Sequence, residues 1–166
     1  MKVVFFSESS IIGKVDRKFP NARNDIAWSI MMNADWCPYG KTPTEKYDLG
    51  VVTIPKTKPN LDVDWFKQYC DKIAIMQEGP HWYFQDYSVE QQFQFVENLR
   101  KANWVWCHNE SDVSYYKGLG CKDVRVMRTL MLPEGLNCQL TTSQKKGILL
   151  GGNFTSWYSG LDSYLI

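Results

Sequence analysis

The chain has 166 residues, 44% hydrophobic and 22% charged, enough apolar material to bury one core and too much for a disordered segment. With 19 basic residues against 18 acidic ones and no clustered basic face, the net charge of +1 argues against a nucleic-acid or anionic-membrane partner. No apolar run approaches the ~20 residues that span a bilayer, and the opening run stops at Ser7, short of a signal peptide.

The elements follow in order. Lys2 to Phe6 is a short apolar run ending in a polar loop, the pattern of a buried first strand. A turn from this strand into a helix carries Gly13. Asp25 to Ala34 repeats Ile26, Ala27, Ile30, Met31 and Ala34 at helical spacing, with Asn24 as candidate cap. Tyr47 to Ile54 reads as a second strand and Asp62 to Cys70 as a short helix. Lys72 to Gln77 is a third strand, broken by Glu78-Gly79-Pro80. Ser88 and Gln91 form a capping box, and the helix they open is predicted to present Val89, Phe93, Val96, Leu99 and Ala102 on its buried stripe. Asn103 to Cys107 is a strand, Ser111 is predicted to cap a short helix stopped near Gly118 or Gly120, and Asp123 to Met127 is a further strand. Residues 133–146 read as a polar linker, and Lys146 to Gly152 as a strand running into a glycine turn.

Strands separated by helical crossovers pair in parallel, with helices on the sheet faces. The expectation is therefore an α/β domain with a mostly parallel sheet of about five or six strands. Ligands of such sheets sit beyond the carboxyl ends of the strands, which directs attention to the loops at 7–13, 55–58, 78–82, 108–111 and 151–159.

The first loop has one glycine where a dinucleotide fingerprint needs three, and no phosphate-binding loop occurs. Gly13 still permits close backbone approach to a phosphate or sugar. In the third loop Glu78, Gly79, Pro80, His81 and Trp82 bring a carboxylate, an imidazole and an indole together, groups that suit sugar hydroxyls and ring faces. His108 and Glu110 occupy the next loop, where a lone histidine is more often hydrogen-bonded scaffold than catalyst. The two histidines stand on different loops, and the five cysteines (37, 70, 107, 121 and 138) lack any CxxC pair. That reads as reduced thiols in a cytoplasmic protein, without a disulfide frame or a metal site. Aromatic residues reach 14%, with seven Trp, which suits either a stacking cleft or bulky core filling. The sequons at Asn109 and Asn153 are chance matches in that setting.

The succession YDLGVV, KIAIMQEGP, NWVWCHNESD and KKGILLGGN resembles the amino-terminal half of GT-B-fold glycosyltransferases, family 4 in particular. Glu78 stands where that family has a His before Gly, and the first loop is poorer in Gly than is usual there. The resemblance implies a Rossmann-like three-layer sandwich over residues 1–132, a linker at 133–146, and at 147–166 the start of a truncated second domain. It further implies transfer of a sugar from a nucleotide-sugar donor to an acceptor, with retention of anomeric configuration. Donor phosphates would be held by backbone N–H groups and a helix N-terminus, without cofactor or metal. Acceptor and sugar contacts would fall to Gly13, Glu78, Gly79, Pro80 and His81, with Glu78 the candidate catalytic carboxylate, and donor contacts to Gly151, Gly152 and Asn153. An exposed second-domain segment would also favour self-association, and residues from Gly147 onward would pack poorly on the rest. The alternatives are a non-catalytic α/β interaction or regulatory domain, against which Ser7-Glu8 stands where a receiver-like domain has Asp, and a small self-contained nucleotide-binding enzyme.

Overall fold

The computed structural model describes residues 1–19, 23–54, 61–77, 87–130 and 132. These form seven strands, β1 (Val3–Ser7), β2 (Gly13–Lys14), β3 (Asp35–Pro38), β4 (Tyr47–Thr53), β5 (Cys70–Met76), β6 (Trp104–Cys107) and β7 (Val124–Val126), and four helices, α1 (Asn24–Met31), α2 (Val63–Lys67), α3 (Val89–Lys101) and α4 (Glu110–Gly118). The strands make one sheet in the order β2-β3-β1-β4-β5-β6-β7. Six of them run parallel, and β2 alone pairs antiparallel, along the β3 edge. The α/β architecture with a mostly parallel sheet is thus as expected, with two strands, β2 and β3, that the sequence pattern does not show.

Alternation along each strand divides the core in two. Val4, Phe6, Val52, Ile73, Ile75, Val105 and Cys107 face a layer that includes Val63 and Phe66 of α2, Phe95 and Leu99 of α3 and Tyr116 of α4. Val3, Phe5, Leu49, Val51, Ala74, Met76 and Trp106 face the other side, where Ile26 of α1 packs with Trp36. Strands buried on both faces need near-continuous apolar sequence, which is why β1, β4, β5 and β6 are legible as runs.

Several local expectations need correction. The capping box at Ser88 forms as predicted, yet Val89 and Phe93 lie on the solvent side of α3, 71% and 67% exposed. The buried stripe is Phe95, Asn98, Leu99 and Ala102. Asn98 belongs there because its carbonyl oxygen accepts from Val63 N–H at 3.2 Å and its amide donates to the Leu61 carbonyl, which ties α3 to the start of α2. Asp62 caps α2 through Asp64 N–H at 2.9 Å, and Cys70 already belongs to β5. Arg23, not Asn24, is the N-cap of α1, and Asn109, not Ser111, that of α4. Gly120 adopts φ +88° just past α4, the left-handed stop that glycine supplies without strain. The loop after β1 leads into β2 rather than into a helix. The strand expected at 146–152, with the linker and second-domain segment, lies outside the described residues.

Candidate functional site: a cleft at the strand ends

From β1 the sheet grows one way through β3 and the other way through β4, so the switch of direction lies between β1 and β4. At a switch point the loops on either side diverge and leave a crevice at the carboxyl ends of the strands. A cleft of about 300 Å³ lies there, lined by Arg23, Asn24, Asp25, Thr53, Met76, Gln77 and His108. It is built from the start of α1 and the ends of β4, β5 and β6.

The wall nearest β1 is an ion-paired brace. Asp25, 6% exposed in the first turn of α1, accepts from Arg23 Nη2 and from Ser7 Oγ, both at 2.6 Å, through Oδ2. Its Oδ1 accepts from Arg23 Nε at 3.0 Å and from Ile26 N–H at 2.9 Å. Arg23 also donates to Ser7 Oγ at 2.9 Å and to the Glu8 carbonyl at 3.0 Å. Two charge-assisted bonds from a guanidinium fork to one carboxylate are the strong kind, and together these contacts pin the end of β1 to the entry of α1.

The opposite wall comes from the ends of β5 and β6. Gln77 accepts from His108 N–H at 3.1 Å and donates to the buried Asp112 of α4 at 3.0 Å. This fixes the backbone at the end of β6 and so the root of the His108 side chain. The ring in turn bonds through Nδ1 to the Met127 carbonyl at 3.0 Å. A carbonyl only accepts, so Nδ1 carries the proton and Nε2 is the acceptor of the neutral ring. Asn24 Nδ2 stands 3.3 Å from Nε2 and 3.4 Å from Nδ1. An in-plane bond to Nε2 would leave it far closer to Nε2 than to Nδ1, so the in-plane lone pair of Nε2 remains open. Asn24 Oδ1 accepts from Leu130 N–H at 2.8 Å, which holds the segment after β7 against α1.

Thr53, the last residue of β4, is 4% exposed, lines the cleft, and its Oγ1 has no hydrogen-bond partner. A buried hydroxyl without a partner is costly, and this one belongs to a residue of the cleft wall. Cys107, adjacent to His108, offers no thiolate nucleophile, because burial above all pushes its thiol up from the ordinary value. Among the described residues no group of three His, Cys, Asp or Glu side chains is placed to hold a metal ion, and Cys37, Cys70, Cys107 and Cys121 are free thiols.

Of the residues singled out from the sequence, Gly13 stands apart from this cleft. It opens β2 opposite Trp36, which pairs beside Phe5, so Gly13 is level with the middle of β1 and not with its carboxyl end. Its φ of +79° explains the glycine, since a Cβ there would meet no atom within 4 Å and only the backbone angle excludes a side chain. Glu78, Gly79, Pro80 and His81, and likewise Gly151, Gly152 and Asn153, lie outside the described residues. Gln77, which directly precedes Glu78 in sequence, does line the cleft. Sequence reasoning missed Arg23, Asp25, Thr53 and Gln77. Thr53 and Gln77 carry a usable signal, as the polar residues at or just past the ends of two apolar strands; the Arg23 and Asp25 pair is local, but its tie to Ser7 at the end of β1 joins residues far apart in sequence.

No described helix is long and apolar enough to cross a membrane. Comparison with known protein families, with curated proteins and with solved structures finds no match for this chain.

Proposed function

We propose that the cleft between β1 and β4 is the binding site of a sugar-transferring enzyme, with this chain the acceptor-side, Rossmann-like part of a GT-B-type glycosyltransferase. The observation that carries the reading is the unpartnered Thr53 hydroxyl at the switch point, facing a cleft whose polar groups converge from four separate elements. A buried hydroxyl without a partner on a cleft wall is a group that a hydroxyl-rich molecule can satisfy. The position agrees with the rule for open parallel sheets, and the volume suits one small-molecule moiety. The motifs YDLGVV, KIAIMQEGP and NWVWCHNESD support the transferase class, since they contain or directly adjoin the strand ends at Thr53, Gln77 and His108.

In the reaction proposed, the bond from the sugar's anomeric carbon to the leaving phosphate breaks and one to an acceptor hydroxyl forms, the acceptor proton passing to a base. Glu78 is the candidate for that base or for a sugar contact, because it follows Gln77 directly in the chain. The test is saturation-transfer NMR of the full chain with UDP-glucose, UDP-N-acetylglucosamine, GDP-mannose and the corresponding free sugars. At least one ligand should bind, with its sugar protons and not its base protons receiving most saturation, and Glu78→Gln should weaken that binding at least tenfold without a change in melting temperature. Binding of none of these ligands would overturn the proposal.

A further inference from the structure

We infer that this cleft receives an uncharged hydroxyl-bearing ring and rejects phosphate, so that the start of α1 is not an anion site in this chain. The inference rests on the sugar-binding reading above and concerns which part of the ligand lies here.

A helix N-terminus pointing into a cleft ordinarily favours an anion, through its free N–H groups and the positive end of the dipole. In α1 the chain supplies that anion itself. Asp25 sits in the first turn, buried, and takes Ile26 N–H on one oxygen. The positive charge that a phosphate would also seek, Arg23, is committed to the same carboxylate through two nitrogens. Arg23 and Asp25 cancel. One layer behind Gln77 lies Asp112, a buried carboxylate whose Oδ2 takes the Gln77 amide. The described lining of the cleft, with Arg23 and Asp25 as its two charged residues, is therefore formally neutral.

Hydrogen-bond polarity points the same way. The lining offers a mixture of donors and acceptors: Thr53 Oγ1, unpartnered, both donates and accepts, Gln77 Nε2 keeps one N–H beyond its bond to Asp112, and His108 Nε2 accepts in the neutral tautomer protonated at Nδ1. A fully ionised phosphate has no proton to offer Nε2 and would set its oxygens against that lone pair. A sugar hydroxyl donates to Nε2 and exchanges a bond with Thr53, which satisfies both. The buried, unpartnered Thr53 oxygen is the observation that points to a ligand; the charge balance decides which chemistry it has.

The two imidazoles of this chain, His81 and His108, make the test direct. Their ring proton–carbon signals are recorded at constant pH, and the His108 signal is assigned with His81→Gln. Glucose, galactose, mannose and N-acetylglucosamine are then titrated against inorganic phosphate and glucose 1-phosphate. We expect at least one free sugar to shift the His108 signal saturably, phosphate at equal concentration to leave it in place, Thr53→Val to weaken the sugar at least tenfold, and Thr53→Ser to restore it. A saturable shift by inorganic phosphate would overturn the inference and leave the sugar-transfer reading standing. So would binding of nucleotide sugars with the His108 signal unmoved. No shift with any free sugar, phosphate or nucleotide sugar would remove both.

Discussion

The two walls of the cleft are built from similar materials and do different things. On the β1 side every oxygen of Asp25 holds two donors, and Ser7 is used as donor and acceptor at once. On the β4 to β6 side the oxygen and the nitrogen of the Gln77 amide each hold a partner, while Thr53 Oγ1 and the in-plane lone pair of His108 Nε2 do not. A saturated buried cluster fixes backbone geometry and has nothing left for a ligand. An unsaturated group beside it has the reverse character: it costs stability in the empty protein and yields that cost back on binding. Conspicuous charge therefore marks the brace in this cleft, and the less conspicuous Thr53 marks the contact.

The contrast is open to direct attack. Asp25→Ala removes the carboxylate that accepts from both Arg23 and the buried Ser7. Breaking one side of such a pair costs about 3 kcal/mol, less to the extent that the half-exposed Arg23 regains water. The urea midpoint should fall accordingly, and a loss under about 1 kcal/mol would mean the β1 wall is not a brace. Gln77→Ala is next in size. It strips a donor from the buried Asp112 and an acceptor from His108 N–H, worth about 1–2 kcal/mol in all. Its His108 signal should also broaden or move, because the backbone at the end of β6 loses its tie. An unmoved signal would show that the Met127 bond alone positions the ring.

The same physics decides what was legible beforehand. Strands β1, β4, β5 and β6 are buried on both faces, so each must be a nearly unbroken apolar run, and each is visible as one. The capping box at Ser88 is a local pattern and forms locally. β3 was invisible: Asp35-Trp36-Cys37-Pro38 has a charge at one end and proline at the other, and becomes a strand only because β1 offers an edge for Asp35 to Pro38 to pair with. β2 is two residues held on that edge, beyond the reach of any periodicity. The stripe on α3 was misjudged because Val89 and Phe93 mimic an apolar face at the helix start, whereas the true face contains Asn98, a polar residue whose partners are backbone groups of another segment. The site follows suit. Its location at the strand ends is derivable from topology, and the His108 ring is hydrogen-bonded through Nδ1 to the Met127 carbonyl. Asn before an apolar stripe usually caps the helix. Here the Asn24 side chain instead faces His108 and Leu130, both far along the chain.

The smallest expected effect on stability is the most informative. Thr53→Val exchanges a hydroxyl for a methyl of similar shape at a position 4% exposed. For a hydroxyl that is hydrogen-bonded in the folded protein, this change costs about 1 kcal/mol, because the partner is orphaned. Thr53 Oγ1 has no partner to orphan. Valine removes an unsatisfied polar atom and also suits the last position of a buried strand, where β-branched residues are favoured. The ligand-free variant should be unchanged or more stable, by up to about 1 kcal/mol, measured as a raised urea midpoint with the slope unaltered. Addition of a sugar that binds the wild type should then reverse the order, stabilising wild type by mass action and the variant hardly at all. A substitution that raises intrinsic stability while abolishing ligand-induced stabilisation is the signature of a binding group. If Thr53→Val instead lowers the midpoint by more than about 1 kcal/mol without ligand, the hydroxyl has a structural partner in solution, and the division between a bracing wall and a binding wall fails at its central residue.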